Sequence, residues 1–278
     1  MLVECVVNLS EGRDEPILAE LAAAASPWLL DRHSDPGHHR SVLTLGGPAD
    51  AVAEAVKALA TATVARLDLA AHIGSHPRLG VLDVVPFVPY IPGAPPPTGL
   101  DAVLPLRDAF ARWLGATLGV PGFLYGPLPG GRTRTLPDIR RHAFGDLAPD
   151  FGPDRAHPTA GATAIGARGA LVAYNVWVST PLVARRVAPL VRSPLVRALG
   201  LEVGTRAQVS CNLIDPVHFG PAQLYDAVAT QVASVGGAVE GAELVGLIPE
   251  NVLQAVPPAR WAELGLAAGA TVEARLTP

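Results

Sequence analysis

Histidines are concentrated in one part of this sequence. Five of the eight histidines lie in stretches that we expect to be loops: His33, His38, His39, His72 and His76. Pro77 restricts His76 to extended conformations, which places the guanidinium of Arg78 on the same side of the chain as the imidazole. An imidazole titrates near neutrality, with a reference pKa of about 6.5. His76 beside Arg78 therefore suits proton transfer on an anionic substrate.

Arginines form the second set of residues that could do chemistry. The chain has a single lysine, Lys57, so a bound anion would meet guanidinium groups, which hold carboxylates in a bidentate manner. Six arginines lie in or beside predicted loops of the first half: Arg40, Arg78, Arg132, Arg134, Arg140 and Arg141. Convergence of several of them would predict a substrate with several carboxylates.

The same histidines leave a metal site as an alternative, with Asp31 or Asp35 as the carboxylate. Their spacing matches no zinc pattern, because Gly74 and Pro77 disfavour the helix that a His-x-x-x-His pair such as His72 and His76 would need. We expect no metal. The sequence also carries no phosphate-binding glycine loop and no Gly-x-Ser-x-Gly nucleophile elbow.

Composition excludes several classes of protein. The 278 residues are 49% apolar and carry a net charge of −4, which argues against a disordered chain and against a nucleic-acid-binding protein. We expect no signal peptide, because polar residues begin at Asn8, and no membrane span, because every apolar run is short. Cys5 and Cys211 lie in apolar runs and are expected to be buried thiols. The prediction is a cytoplasmic protein without a membrane or nucleic-acid partner.

Strand-like and helix-like segments alternate along the chain. The order from Gly169 onward reads β-α-β-β-α-β, the split βαβ pattern of a ferredoxin-like sandwich, and the first half has a related order with insertions. We therefore predict an α/β (α+β) fold of two ferredoxin-like-related α/β subdomains, residues 1–168 and 169–278. Residues 33–40 are expected to be loop, and the tail from residue 265 a weak strand or disordered.

Several motifs in order along the chain resemble those of one known family. They are VECVVNLSEGR at 3–13, DP at 35–36, HRSV at 39–42, GSHPRLG at 74–80, DVVPF at 83–87, RTLP at 134–137, APDFGP at 148–153, GATA at 161–164 and QVSCNL at 208–213. The set resembles the formiminotransferase domain of the formiminotransferase-cyclodeaminase family, over almost the whole chain to about Ala255. The motif around His76 and the APDFGP motif are the most specific.

The resemblance implies an active site in a groove between the two subdomains, an activity and a set of site residues. Members move a formimino group from N-formimino-L-glutamate to N5 of tetrahydrofolate, which is a co-substrate, and no metal is required. The family's catalytic histidine falls on His76, as general acid and base. Its folate-binding segment falls on Gly152, Pro153, Asp154, Arg155, Ala156, His157, Pro158, Thr159, Ala160 and Gly161. Candidates for binding the substrate carboxylates are Asn8, Arg40, Arg78 and Arg134.

The resemblance also implies partners, and two departures from the family pattern stand out. The chain resembles the monofunctional bacterial form, a homodimer whose product would pass to a separate cyclodeaminase. His33 stands where many members carry an acidic residue, and Ala160 stands where some carry an aromatic one. Three alternatives stay open: formyl transfer between 5-formyltetrahydrofolate and glutamate, a non-catalytic folate-binding protein, and a metal-dependent hydrolase.

Overall fold

The chain divides into two units in the computed structural model, which describes residues 1–74, 78–93 and 98–276. The first unit comprises Met1–Tyr90 and Gly99–Arg168. The second comprises Ile91–Thr98 and Gly169–Pro278. Each unit has its own hydrophobic core, and each is described by itself below.

A seven-stranded sheet forms the first unit. Its strands are β1 (Leu2–Leu9), β2 (Leu29–Asp35), β3 (Arg40–Pro48), β4 (Leu82–Tyr90), β5 (Gly122–Pro127), β6 (Thr133–Arg134) and β7 (Thr163–Ala167). The spatial order is β2-β3-β1-β4-β7-β5-β6. Strand β7 pairs in parallel with β4 and β5, whereas β1 pairs antiparallel with β3 and β4. Every residue of β4 is buried, which fits its central place in the sheet.

Helices of the first unit cover this sheet with apolar faces. They are α1 (Glu15–Ala25), α2 (Ala49–Arg66), α3 (Leu104–Leu118) and α4 (Leu136–His142). The Asp14 side chain caps α1 by accepting the Ile17 N–H at 2.9 Å. A capping box of Thr135 and Asp138 starts α4. Within the described ranges, no helix combines the length and apolar character that a membrane span requires.

A four-stranded antiparallel sheet forms the second unit, in the order β11-β8-β10-β9. Its elements are β8 (Val172–Val178), α5 (Pro181–Leu190), β9 (Val196–Val203), β10 (Arg206–Leu213), α6 (Pro221–Ser234), β11 (Val239–Val245), α7 (Glu250–Gln254) and α8 (Val272–Leu276). Alternate residues of β8 and β10 are buried against α5 and α6, which gives the unit its core.

The two units share one strand topology. In the first unit β1-α1-β2-β3-α2-β4 gives the spatial order β2-β3-β1-β4, and in the second β8-α5-β9-β10-α6-β11 gives β9-β10-β8-β11. Both are antiparallel split βαβ arrangements, and β5, β6 and β7 extend the first one. The predicted mixed α/β fold class is confirmed.

Local expectations were wrong at three places. Residues 33–35 belong to strand β2 rather than to a loop, because they pair with β3, His33 opposite Val42 and Asp35 opposite Arg40. The sequence pattern missed strand β7 and helix α4. The C-terminal tail, expected to be a weak strand or disordered, forms α8, in which Val272 is buried.

Candidate active site

A buried carboxylate organises the polar centre of the first unit. Asp83, near the start of β4, is 0% exposed. Its oxygens accept hydrogen bonds from Arg40 Nη1 at 2.7 Å, from Arg140 Nη1 and Nη2 at 2.9 and 2.5 Å, and from the Leu79 N–H at 2.6 Å. Burial acts to raise the pKa of Asp83, but Arg40, Arg140 and the Leu79 N–H outweigh it and hold that pKa far below its usual range. Asp83 is therefore a charged anchor for two guanidinium groups.

Strand pairing positions the first of these guanidinium groups. Arg40 begins β3 and Asn8 lies in the neighbouring β1, where it pairs with Val42. The Asn8 Oδ1 atom accepts from Arg40 Nε at 3.1 Å and from Nη2 at 2.9 Å. The structure thus brings together Asn8, Arg40 and Arg140, which the sequence analysis had named, and adds Asp83 to them.

Two histidine rings stack next to this centre. The rings of His39 and His72 are 3.9 Å apart and inclined by 21°. His39 Nδ1 lies 3.0 Å from the Ile73 carbonyl oxygen, and Nε2 lies 3.1 Å from Glu11 Oε1. Since both neighbours are acceptors, the imidazolium form of His39 can donate to both at once.

Glu11 is the carboxylate that supports His39. It also accepts the backbone N–H groups of Gly12, Arg13 and Asp14 at 2.7–3.1 Å. Burial acts to raise the pKa of Glu11, but these N–H groups and His39 outweigh it and hold that pKa below its usual range. A charged Glu11 therefore fixes the turn after β1 and one edge of the histidine stack.

His72 contacts one acceptor and one donor. Its Nε2 lies 2.9 Å from the His39 carbonyl oxygen, to which it donates, and the Arg78 guanidinium lies close to both ring nitrogens, so Nδ1 accepts. Burial, followed by the charge of Arg78, lowers the pKa of His72 to about 4. Arg78 also donates to the His38 carbonyl oxygen at 3.4 Å. His72 is therefore a neutral acceptor for Arg78, the arginine of the motif that contains His76.

This neutral His72 predicts a pH dependence of stability. An unfolded histidine titrates near pH 6.5, and His72 in the folded protein titrates at about 4. The unfolded state therefore binds the extra proton first, so the contribution is full above about pH 6.5 and is lost as the pH falls toward 4. His72→Asn should flatten the pH dependence of the free energy of unfolding in this window, measured by urea denaturation. The control is His218→Asn, which removes an exposed histidine of the second unit; equal slopes in both variants would contradict the assignment.

His76 itself lies outside the described residues, together with Ser75 and Pro77. The described residues on both sides of this gap are held by the network above. On one side His39 contacts the Ile73 carbonyl oxygen, and on the other Asp83 accepts the Leu79 N–H. The ends of the segment that carries the predicted catalytic histidine are therefore tied to the buried polar centre.

The folate segment predicted from the sequence lies beside the end of that motif. Gly80 forms a β-bridge with Gly161, and the Val81 N–H donates to the Ala160 carbonyl oxygen at 3.0 Å. Gly80 is required here, because a Cβ atom would collide with the Ala160 and Ala162 carbonyl oxygens. The His-Pro-Arg motif and one end of the segment 152–161 are therefore neighbours through backbone contacts.

Exposure divides the segment 152–161 into two parts. Residues 152–156 and Pro158 are exposed, whereas Ala160 and Gly161 are buried. His157 Nδ1 accepts the Ala160 N–H at 3.0 Å, which closes the turn between the two parts. The exposed part is open to a ligand, and the buried part fixes it to the sheet.

Arg134 is not part of the Asp83 centre. It donates to Asp150 Oδ2 at 2.6 Å and to the Leu124 carbonyl oxygen at 3.0 Å. It also lines a cavity of about 220 Å³ with residues of α4, smaller than the ~300–1,000 Å³ of typical ligand pockets. Asp150 is the aspartate of the APDFGP motif and lies two residues before Gly152, so Arg134 lies beside the start of the folate segment.

Sequence reasoning named Arg140 as one of six candidate arginines, but it missed the roles of Asp83 and Glu11. A single acidic residue within an otherwise apolar strand was the available signal for Asp83, because a buried charge needs partners. Glu11 carried no comparable signal, and the sequence did not show that Arg140 meets Asp83. In the parts of the chain that the structure describes, no group of three or more histidine, cysteine, aspartate or glutamate side chains has the arrangement of a metal site.

Comparisons with known proteins agree on one family. Residues 2–168 match the model of the formiminotransferase domain, N-terminal subdomain. A glutamate formimidoyltransferase of Streptococcus pyogenes serotype M1 is 32% identical over 275 residues, which cover 91% of this chain and 90% of the relative. One of Thermoplasma acidophilum is 32% identical over 277 residues and 89% of its length. The formimidoyltransferase-cyclodeaminase of Sus scrofa is 34% identical, and the match covers 51% of that longer protein.

Proposed function

This chain belongs to the formiminotransferase family, and we propose that it moves the formimino group of N-formimino-L-glutamate to N5 of tetrahydrofolate. The products are 5-formiminotetrahydrofolate and L-glutamate, as in histidine degradation and one-carbon metabolism. One observation carries this proposal: the match extends over about nine tenths of bacterial and archaeal enzymes named for this transfer. The protein is a transferase.

The chemistry exchanges one carbon–nitrogen bond for another. N5 of tetrahydrofolate attacks the formimino carbon and forms a tetrahedral intermediate. The bond from that carbon to the glutamate nitrogen then breaks. The proton that N5 loses goes to the departing nitrogen, so the sum of the two steps needs no oxidant and no net proton. Much of the rate would come from holding both substrates in position.

We assign the proton transfer to His76. Both ring edges of His39 and of His72 already face protein partners, which makes them poor proton carriers for a substrate. His76 lies between Ile73 and Leu79, the two backbone positions that the polar centre holds. An imidazole near its ordinary pKa can accept the N5 proton and return it to the glutamate nitrogen.

Tetrahydrofolate is the proposed co-substrate, bound by residues 152–161. The exposed turn at 152–156 offers backbone groups to a flat ligand, and the bridge of Gly161 to Gly80 connects it to the motif of His76. Arg134, paired with Asp150 at the start of this segment, is proposed to contact the glutamyl tail.

Asn8, Arg40 and Arg78 are the proposed contacts of the glutamate donor. Arg40 donates three hydrogen bonds to Asn8 and Asp83, which fix the position of its guanidinium. Its proposed role is to attract the donor by its positive charge. Arg78 contacts the neutral His72 and the His38 carbonyl oxygen, and its guanidinium is proposed to contact a carboxylate of the donor as well. We also propose that the protein is a cytoplasmic homodimer. Its product is proposed to pass to a separate cyclodeaminase, because relatives named formimidoyltransferase-cyclodeaminase combine the two activities in one chain.

A paired donor assay tests the function. Purified protein and tetrahydrofolate are mixed with N-formimino-L-glutamate in one reaction and with N-formyl-L-glutamate in another, and folate product and released glutamate are measured. The proposal predicts stoichiometric product and glutamate with the formimino donor. Turnover with the formyl donor alone would contradict the proposal and would indicate formyl transfer between glutamate and tetrahydrofolate instead. Folate binding without turnover would make the chain a folate carrier.

A further inference from the structure

Arg140 has a second binding edge that no residue described by the structure contacts. Helix α4 carries it to Asp83, which takes the Nη1 and Nη2 atoms at 2.9 and 2.5 Å. Its Nε–H has no partner among the residues that the structure describes, and its side chain is 18% exposed. We propose that Arg140 binds a carboxylate of the glutamate donor through the edge formed by Nε and Nη, which deepens the function proposed above and rests on it.

The charges around Asp83 favour the binding of an anion. One buried carboxylate faces the guanidinium groups of both Arg40 and Arg140. Burial lowers the pKa of Arg78, and the positive charges of Arg40, Arg140 and Arg13 lower it further, whereas Asp83 acts in the opposite direction. A ligand that brings one or two carboxylates would offset this charge, and the glutamate moiety of the donor brings two.

The geometry of Arg140 suits bidentate recognition. A guanidinium is a rigid fork, so the two bonds to Asp83 also fix the direction of the remaining edge. The helix beneath it is anchored by the Thr135–Asp138 capping box and by the fully buried Ile139. Arg140 is therefore preorganised, and little side-chain entropy is lost when an anion binds.

The neighbouring residue supplies a matched control. Arg141 has the same side chain on the same helix, but it is 67% exposed and lies 3.9 Å from Asp138 rather than at the Asp83 centre. Arg140→Gln and Arg141→Gln therefore remove the same charge from adjacent positions, only one of which faces the proposed ligand.

Steady-state kinetics of both variants test the proposal. We expect Arg140→Gln to raise KM for N-formimino-L-glutamate about 10- to 100-fold, the loss of one charge-assisted pair. The kcat and the KM for tetrahydrofolate should change little, and Arg141→Gln should resemble the wild type. Arg140→Lys, which keeps the charge but not the fork, should give an intermediate KM and guards against a folding defect in the glutamine variant. Donor KM values equal in Arg140→Gln and Arg141→Gln would overturn the proposal, as would a shift confined to tetrahydrofolate.

Binding of L-glutamate separates this proposal from the function on which it rests. Calorimetric titration of each protein with L-glutamate needs no turnover, so it applies even if the wild type transfers no formimino group. Weaker binding to Arg140→Gln than to Arg141→Gln supports the site whatever the reaction. Equal binding to both variants overturns the site while leaving a transferase active in the paired assay.

Discussion

Replacing His76 by alanine is expected to lower kcat for formimino transfer about 10²- to 10⁴-fold, the usual contribution of a positioned general acid and base. The loss should be in kcat rather than in KM for either substrate, because the proposed role is a proton transfer and not a binding contact. Stopped-assay measurement of 5-formiminotetrahydrofolate and glutamate gives both constants.

The matched control for this variant is His142→Ala. His142 lies in α4 and pairs with Asp146 at 2.7 Å, and no contact connects it to Asp83 in the residues described. We expect near-normal turnover from this control. A His76→Ala enzyme with a kcat close to that of His142→Ala would remove His76 from the mechanism.

Replacing Asp83 by alanine should destabilise the protein by about 3–5 kcal/mol, the cost of removing one partner from a buried ion pair. Asp83 is fully buried and joins Arg40, Arg140 and the Leu79 N–H. Without it, two positive groups face each other across a cavity, and the segment that carries His76 loses one of its anchors. Urea denaturation measures the stability, and activity should fall together with it.

The lowered pKa of Asp83 also predicts how the free energy of unfolding changes at acid pH. Its folded pKa lies far below the ordinary value of about 3.9. The stabilisation is therefore full above the unfolded pKa and is lost as the pH falls toward the folded one. Asp83→Asn should therefore flatten the dependence of the free energy of unfolding on pH at acid pH. Asp146 is an exposed carboxylate whose pKa is lowered by its hydrogen bond with His142, so Asp146→Asn should change this acid dependence much less than Asp83→Asn does; if the two variants behave alike, Asp83 is not the anchor described above.

Local sequence patterns were sufficient for the fold class but not for every element. The apolar alternation in the second half predicted its split βαβ order, because each strand there buries one face. Strand β7 was missed because Thr163–Ala167 consists mainly of alanine and glycine, which have low strand preference, and only its burial between β4 and β5 makes it a strand. The polar end of β2 was missed for a similar reason, since its pairing with β3 determines its conformation.

The polar centre was predictable only in part. The motifs indicated Asn8, Arg40 and Arg78, and the structure places Asn8 and Arg40 in direct contact. The part played by Asp83 was not predicted, because a carboxylate in an apolar strand does not reveal which cations it meets. Arg140 required the tertiary placement of α4 against β4. Arg134 had the right residue type, but its contacts with Asp150 and Leu124 lie elsewhere in the first unit.

The transfer of an intact formimino group to folate is tested most directly by isotope labelling. N-formimino-L-glutamate carrying ¹³C at the formimino carbon and ¹⁵N at the imino nitrogen is incubated with tetrahydrofolate and enzyme, and the products are analysed by mass spectrometry. The proposed reaction predicts both labels in the folate product and none in the released glutamate. A folate product with ¹³C but without ¹⁵N, or glutamate that retains label, would contradict it.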